Sequence, residues 1–327
     1  MTSVSHKAGP TQDRQAQLRL AVSACLLGQK VRYDGGDKRH RFISQTLARW
    51  VQLIPICPEV EIGMGVPRPS IHLVDTDGGL RAIGVQDGAL DVTRELEGLA
   101  KDRAQQLQDV DGYIFKARSP SCGLTTTPIR RQQGGWRKGA GLYAARLRQA
   151  LPLLPLVEEA ALDAAEQRIN FIQRMEAYAR WRAFAGQGPG RLQLQAFHQS
   201  ERLSLLAHGA RGLRRMEGWL SSLRGGLSVA ELHEYARQYL HQFAHRATRR
   251  RHARVLRHAI SSCIPGLDRD SQQRFRGMIQ DFEHEELELA PMLAQLRRLD
   301  SAGALRGQSY LQPSLAFRLR LDRSLDV

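Results

Sequence analysis

Three of the four cysteines occupy the same kind of position. Cys25 closes the apolar run LRLAVSACLL (18–27), Cys57 closes VQLIPICPEV (51–60), and Cys122 follows the short apolar stretch of VDGYIFKARSPSCG (110–123). Each is followed by turn chemistry. If the runs are neighbouring parallel strands, their carboxyl ends lie along one edge of a sheet, where such folds bind ligands. Any one of these cysteines alone reads equally as a small buried hydrophobe. Together they read as a site, although the spacing alone suits buried side chains equally well. No CxxC pair exists, so neither a zinc ribbon nor a ferredoxin-type cluster finds support. Three thiolates without a fourth describe an open centre. A zinc ion would need another donor, for which His40 and His72 are candidates, whereas a [4Fe–4S] cluster on three cysteines leaves one iron free. Cys263, in HAISSCIPG, reads as structural.

Residues beside the cysteines carry further chemistry. Glu59, two after Cys57, has the makings of a general base and equally of a carboxylate favoured in a helix's first turn. Ser119 and Ser121 flank Pro120 and can donate hydrogen bonds, or can simply make the turn. Tyr33-Asp34-Gly35 is a turn signal first and a substrate contact second.

The elements that must position these groups alternate in the first half. Shorter strand candidates are IHLVD (71–75) and GLRAIGV (79–85). Helical patterns run over RFISQTLARWVQL (41–53) and DVTRELEGLAKDRAQQLQDV (91–110). This alternation predicts an α/β domain with a mainly parallel sheet over 18–163. From 164 to 327 the pattern is helical throughout, with expected helices over 165–184, 192–220 and 229–263 separated by Gly/Pro signals. Residues 1–17 are polar, lack the apolar core of a signal peptide and read as a disordered tail. The 327 residues contain no apolar run long enough to span a membrane. The expected compartment is the cytoplasm, where structural disulfides are rare.

Charge is uneven. The chain carries +15, and residues 166–327 hold 26 Arg, no Lys and 16 acidic residues, a net +10. A guanidinium is a planar bidentate donor suited to phosphate. On one continuous helix, Arg246, Arg250, Arg254 and Arg257 would share a face, widened by Arg249. No Asp or Glu occurs from 235 to 267. The expectation is a stripe that tracks a nucleic-acid backbone; the plainer alternative is a solvated face.

The segments SACLLGQKVRYDGG (23–36), ICPEVEIGMGVPRP (56–69), DVT (91–93) and YIFKARSPSCG (113–123) closely resemble the thiouracil desulfidase family, over residues 18 to about 160. The resemblance implies an α/β fold with a [4Fe–4S] cluster on Cys25, Cys57 and Cys122, a catalytic carboxylate at Glu59, and a catalytic serine at Ser119 rather than Ser121. NFIQRMEAYARW (170–181), FHQSERLSLLAH (197–208), HARVLRHAI (252–260) and QSYLQPS (308–314) resemble the helical domain often fused behind it. Here Arg replaces that domain's lysines, and FEHEELELAPMLAQLRR (282–298) stands where it usually carries a YR…PL…P segment.

In the fused subgroup, the resemblance implies removal of sulfur from 4-thiouridine in tRNA. On that reading water would attack a thiocarbonyl held on the open iron, giving uridine and hydrogen sulfide without a reductant. The helical half would hold the tRNA. Two other readings remain at this stage. One is a nucleic-acid-binding factor with a structural or sensing metal. The other is an enzyme for free thiouracil whose helical half makes a dimer. The oligomeric state is open.

Overall fold

The apolar run near the start of the chain pairs as a strand, β1 (Arg19–Ser23), and the elements then alternate. They are β2 (Gln52–Ile56), the short helix α1 (Pro58–Glu61), β3 (Ile71–Thr76), β4 (Gly79–Gly84) and α2 (Thr93–Gln106). After these come β5 (Gly112–Phe115), β6 (Thr127–Arg130), β7 (Trp136–Gly139), α3 (Leu142–Ala150) and β8 (Leu156–Glu158). The computed structural model describes residues 17–321 except 265. The expected tail up to residue 16 and the side chain of Cys263 lie outside the described residues.

The first half is α/β, and its main sheet is parallel throughout, in the order β2-β1-β5-β8. The strands from 71 and 79 do not join it. They form an antiparallel pair in a second, mixed sheet, β4-β3-β6-β7. The cause is local. Only Asp77-Gly78 separates β3 from β4, a two-residue loop that makes a hairpin, whereas a parallel crossover needs a dozen residues or more. The helix expected over 41–53 is instead a π turn (Phe42–Thr46) and a 3-10 turn (Leu47–Arg49).

Among the described residues eight helices follow: α4 (Ala165–Ala185), α5 (Arg191–His208), α6 (Ala210–Ser222), α7 (Val229–Ala244), α8 (Arg249–His258), α9 (Arg269–Glu283), α10 (Leu289–Leu299) and α11 (Leu315–Leu321). Two of them complete the parallel sheet. Leu20, Val22 and Ile114 pack on Phe171, Ile172 and Met175 of α4 and on Ala316 and Leu319 of α11. The other face, with Ala21, Tyr113 and Phe115, meets α2, α3 and the second sheet. Approach on the α4 side is close: a Cβ at Gly112 would lie 2.9 Å from Met175 Cγ. Among the described residues no helix is long and apolar enough to cross a membrane.

The helix expected over 192–220 divides at Gly209, where Gln242 Nε2 donates to the carbonyls of Leu205 (3.2 Å) and Gly209 (2.5 Å). The helix expected over 229–263 divides at 245–248, because Thr248 caps α8 by accepting the Arg251 N–H. The gap between α7 and α8 exposes the His245 carbonyl to His208, whose Nδ1–H donates to it. Burial, reinforced by Arg251 and Arg180, pushes His208 down to about 4. A base depressed in the fold costs stability as pH falls through its unfolded value near 6.5 toward 4. From pH 7 to pH 5 we expect a loss of about 2 kcal/mol from His208 alone. Denaturant midpoints at the two pH values should show it in the wild type and show much less in His208→Asn. Equal pH dependence in both would contradict the assignment.

Candidate active site

Neighbouring strands β1, β2 and β5 present their carboxyl ends at one edge of the parallel sheet. Cys25 lies in the 3-10 turn that follows β1. Cys57 is the extended N-cap of α1, with Pro58 in the first helical position. Cys122 lies in the loop between β5 and β6. All three thiols are free; Cys25 and Cys122 are buried and Cys57 is half-buried. They lie within electrostatic reach of one another. Burial, then Cys57, pushes the Cys25 thiol up to about 11. Burial, then Glu59, pushes Cys122 well above the ordinary range, with Cys25 and Cys57 adding to it. Burial also raises Cys57.

The Cys122 loop is fixed from three sides. Ser119 Oγ accepts the N–H groups of Cys122 (3.0 Å) and Ser121 (3.3 Å). The carbonyls of Pro120 and Ser121 accept from Leu142 and Ala144 at the start of α3 (2.9 and 3.0 Å). That docking needs a glycine: a Cβ at Gly141 would lie 2.6 Å from the Ser121 carbonyl. Beyond the cysteine, Glu158 Oε1 accepts from the N–H groups of Leu124 (2.7 Å) and Thr125 (3.1 Å) and from Thr126 Oγ1 (2.9 Å). Burial alone would raise Glu158, but these bonds outweigh it and hold the carboxyl below its usual range. Glu159 accepts the Ala117 N–H and pairs with Lys116.

Glu59 and Glu61, both in α1, separate the two readings that the sequence leaves open. Glu61 takes the structural place, accepting the Cys57 N–H (3.3 Å) and pairing with Arg103 (2.7 Å). Glu59 faces the Cys122 loop. Its Oε2 accepts from Nε and Nη2 of Arg68 (2.9 and 2.8 Å), and its Oε1 accepts from Ser121 Oγ (2.9 Å). The Arg68 side chain is 3% exposed and also donates to the Gly65 carbonyl (3.0 Å). Oε1 therefore keeps a lone pair for a proton. The serine bonded to Glu59 is Ser121, while Ser119 Oγ holds the loop. Arg68, in the VPRP stretch, also belongs to the site through its bonds to Glu59.

Tyr33 is half exposed, and its carbonyl accepts the Arg68 N–H (2.9 Å), which ties this turn to the site. Asp34 is exposed; its Oδ1 accepts from Gly36 N–H (3.0 Å) and Arg32 Nε (3.2 Å). Its side chain makes the turn.

The basic stripe is corrected. Arg246 lies outside α8, in the connection from α7, and pairs with Glu166. Arg249 turns inward over the Phe282 ring (4.6 Å) and donates to the carbonyls of Phe282 and Leu287 (2.8 and 2.7 Å). Arg257 pairs with Glu283. The acid-free stretch thus meets acids from other elements. Arg250 and Arg254 remain exposed on α8.

Three soft thiolates on three strand ends suit an iron–sulfur group. Among the described residues no three Cys, His, Asp or Glu side chains are close enough to share one metal ion. A cluster does not ask this, because each thiolate takes its own iron.

Residues 20–159 match the family model for 2-thiouracil desulfurase. Residues 202–314 match DUF1722, described as a protein of unknown function. Among solved structures, the chain is similar to a [4Fe-4S]-dependent thiouracil desulfidase, TudS, with 31% identity over 45% of this chain and 93% of that one and a TM-score of 0.36. No curated protein matches the chain. On that identity across nearly the whole of the relative, and on the model matched from 20 to 159, the chain belongs to the 2-thiouracil desulfurase family through its α/β half.

Proposed function

We propose that the protein removes sulfur from a thiolated pyrimidine, 4-thiouridine in tRNA, using a [4Fe–4S] cluster held by Cys25, Cys57 and Cys122. The observation that carries the chemistry is the carboxylate of Glu59, fixed by Arg68 and Ser121 beside three free thiols on three strand ends. When bound, the cluster supplies an iron with an open position, a Lewis acid for a thiocarbonyl sulfur. The chain's own residues do the rest. Arg68 occupies Oε2 and turns Oε1 of Glu59 toward the water. Glu59 takes a proton from that water as its oxygen bonds to the ring carbon. The added hydroxyl then becomes the carbonyl as the carbon–sulfur bond breaks, and sulfur leaves as hydrosulfide with water's second proton. Carbon's oxidation state is unchanged, so the balance needs no reductant.

The tRNA part of the reading rests on the all-arginine excess of the helical half and on exposed Arg250 and Arg254. Phosphate contacts release counterions, so log K should fall linearly with log[salt]. Replacing Arg250 and Arg254 together with Ala should weaken tRNA binding and reduce that slope by about one to two. Titrations at several salt concentrations check this. An unchanged slope and affinity would remove α8 from the RNA surface.

A further inference from the structure

We propose that the open face of the second sheet is where the RNA strand flanking the thiolated nucleotide lies; this rests on the RNA reading above. One face of that sheet is committed to the core, through Ile71, Leu73, Ala82 and Ile129. Strand residues paired in register point to the same side. Arg81 faces Val74, Val74 faces Arg130, and Arg130 faces Trp136, so these four make one row across all four strands on the opposite face. Lys138 shares the side of Trp136, two residues along β7.

This face differs from an ordinary solvated sheet in three ways. Trp136 is 61% exposed, at the end of a row of cations. Arg81 pairs with Asp91, while Arg130 and Lys138 are exposed with no acidic partner among the described residues. An aromatic ring between uncompensated cations is the combination that holds single-stranded nucleic acid, by stacking on a base and pairing with the backbone. The face is also joined to the site. β3 begins three residues after Arg68, and β6 begins five residues after Cys122; the two strands leave the site side by side. A strand that presents its thiolated base to Glu59 therefore continues over Pro128, Arg130 and Trp136.

The test uses the full chain loaded with its cluster under anaerobic conditions, with tRNA carrying 4-thiouridine and the free nucleoside as paired substrates. Trp136→Ala should lower kcat/KM on tRNA on the order of ten-fold, the scale of losing one stacked base, and by at least five-fold more than on the nucleoside. Trp136→Phe should recover most of it, since a phenyl ring still stacks. Arg130→Ala with Lys138→Ala should flatten the salt dependence of tRNA binding. Circular dichroism and cluster absorbance show that each variant is folded and loaded. Equal loss on both substrates, or none on tRNA, overturns the surface while leaving the RNA reading intact. A dimer that dissociates in Trp136→Ala assigns the face to a second copy and overturns it too. A wild type that acts on the nucleoside but neither binds nor desulfidates tRNA overturns both.

Discussion

Alanine at Cys25, Cys57 or Cys122 should reduce desulfidation to background and prevent cluster assembly, each substitution alone being sufficient. The three thiols come from three different strand ends, and among the described residues no further cysteine lies beside them to replace any of them. Loss of fold is not the cause we expect. Removing one buried heavy atom costs on the order of 1 kcal/mol, and the Cys122 loop keeps the bonds from Ser119, α3 and Glu158. Iron and sulfide content after anaerobic reconstitution, read beside the thermal midpoint of the cluster-free protein, separates the two causes. A Cys57→Ala protein that takes up iron normally would remove Cys57 from the ligand set.

Glu59→Gln should lower turnover by about 10²-fold or more, the usual scale for a general base, with the cluster retained. The structure adds a cost that isosteric replacement hides. Arg68 is buried against this carboxylate, and breaking a buried ion pair from one side costs about 3–5 kcal/mol. Glu59→Gln is therefore expected to be less stable as well as slow. Replacing Arg68 with Met in that background should restore stability without restoring turnover. Ser121→Ala should impair turnover more than Ser119→Ala, whose main effect should be on the Cys122 loop. If the double variant regains activity, the proton passes through another group.

Local patterns carried much of this. The cysteines at the ends of apolar runs were enough to place them at one sheet edge, and the switch to helical periodicity near 164 marks where the helices begin. What the sequence does not display is decided over distance. Ser119 and Ser121 sit in the same four-letter motif, and only the docking of their loop on α3 determines which one points at Glu59. Arg68 becomes part of the site because α1 and the segment before β3 meet. The acids that neutralise Arg246 and Arg257 come from α4 and α9, which no helical wheel of 229–263 contains. Two of the differences from the expected elements carry local signals. Asp77-Gly78 marks a hairpin, and Thr248 is an N-cap residue in the middle of an assumed helix.

In the proposed reaction a carboxylate held by Arg68 and Ser121 directs water at a thiocarbonyl carbon, with no electrons exchanged. The most direct measurement is anaerobic turnover of 4-thiouridine tRNA by the cluster-loaded protein in ¹⁸O-water, with no reductant present. Multiple turnovers are expected, with one ¹⁸O in each uridine formed and one hydrosulfide released per uridine. Dependence on an added reductant, or uridine whose new oxygen does not come from water, would contradict it.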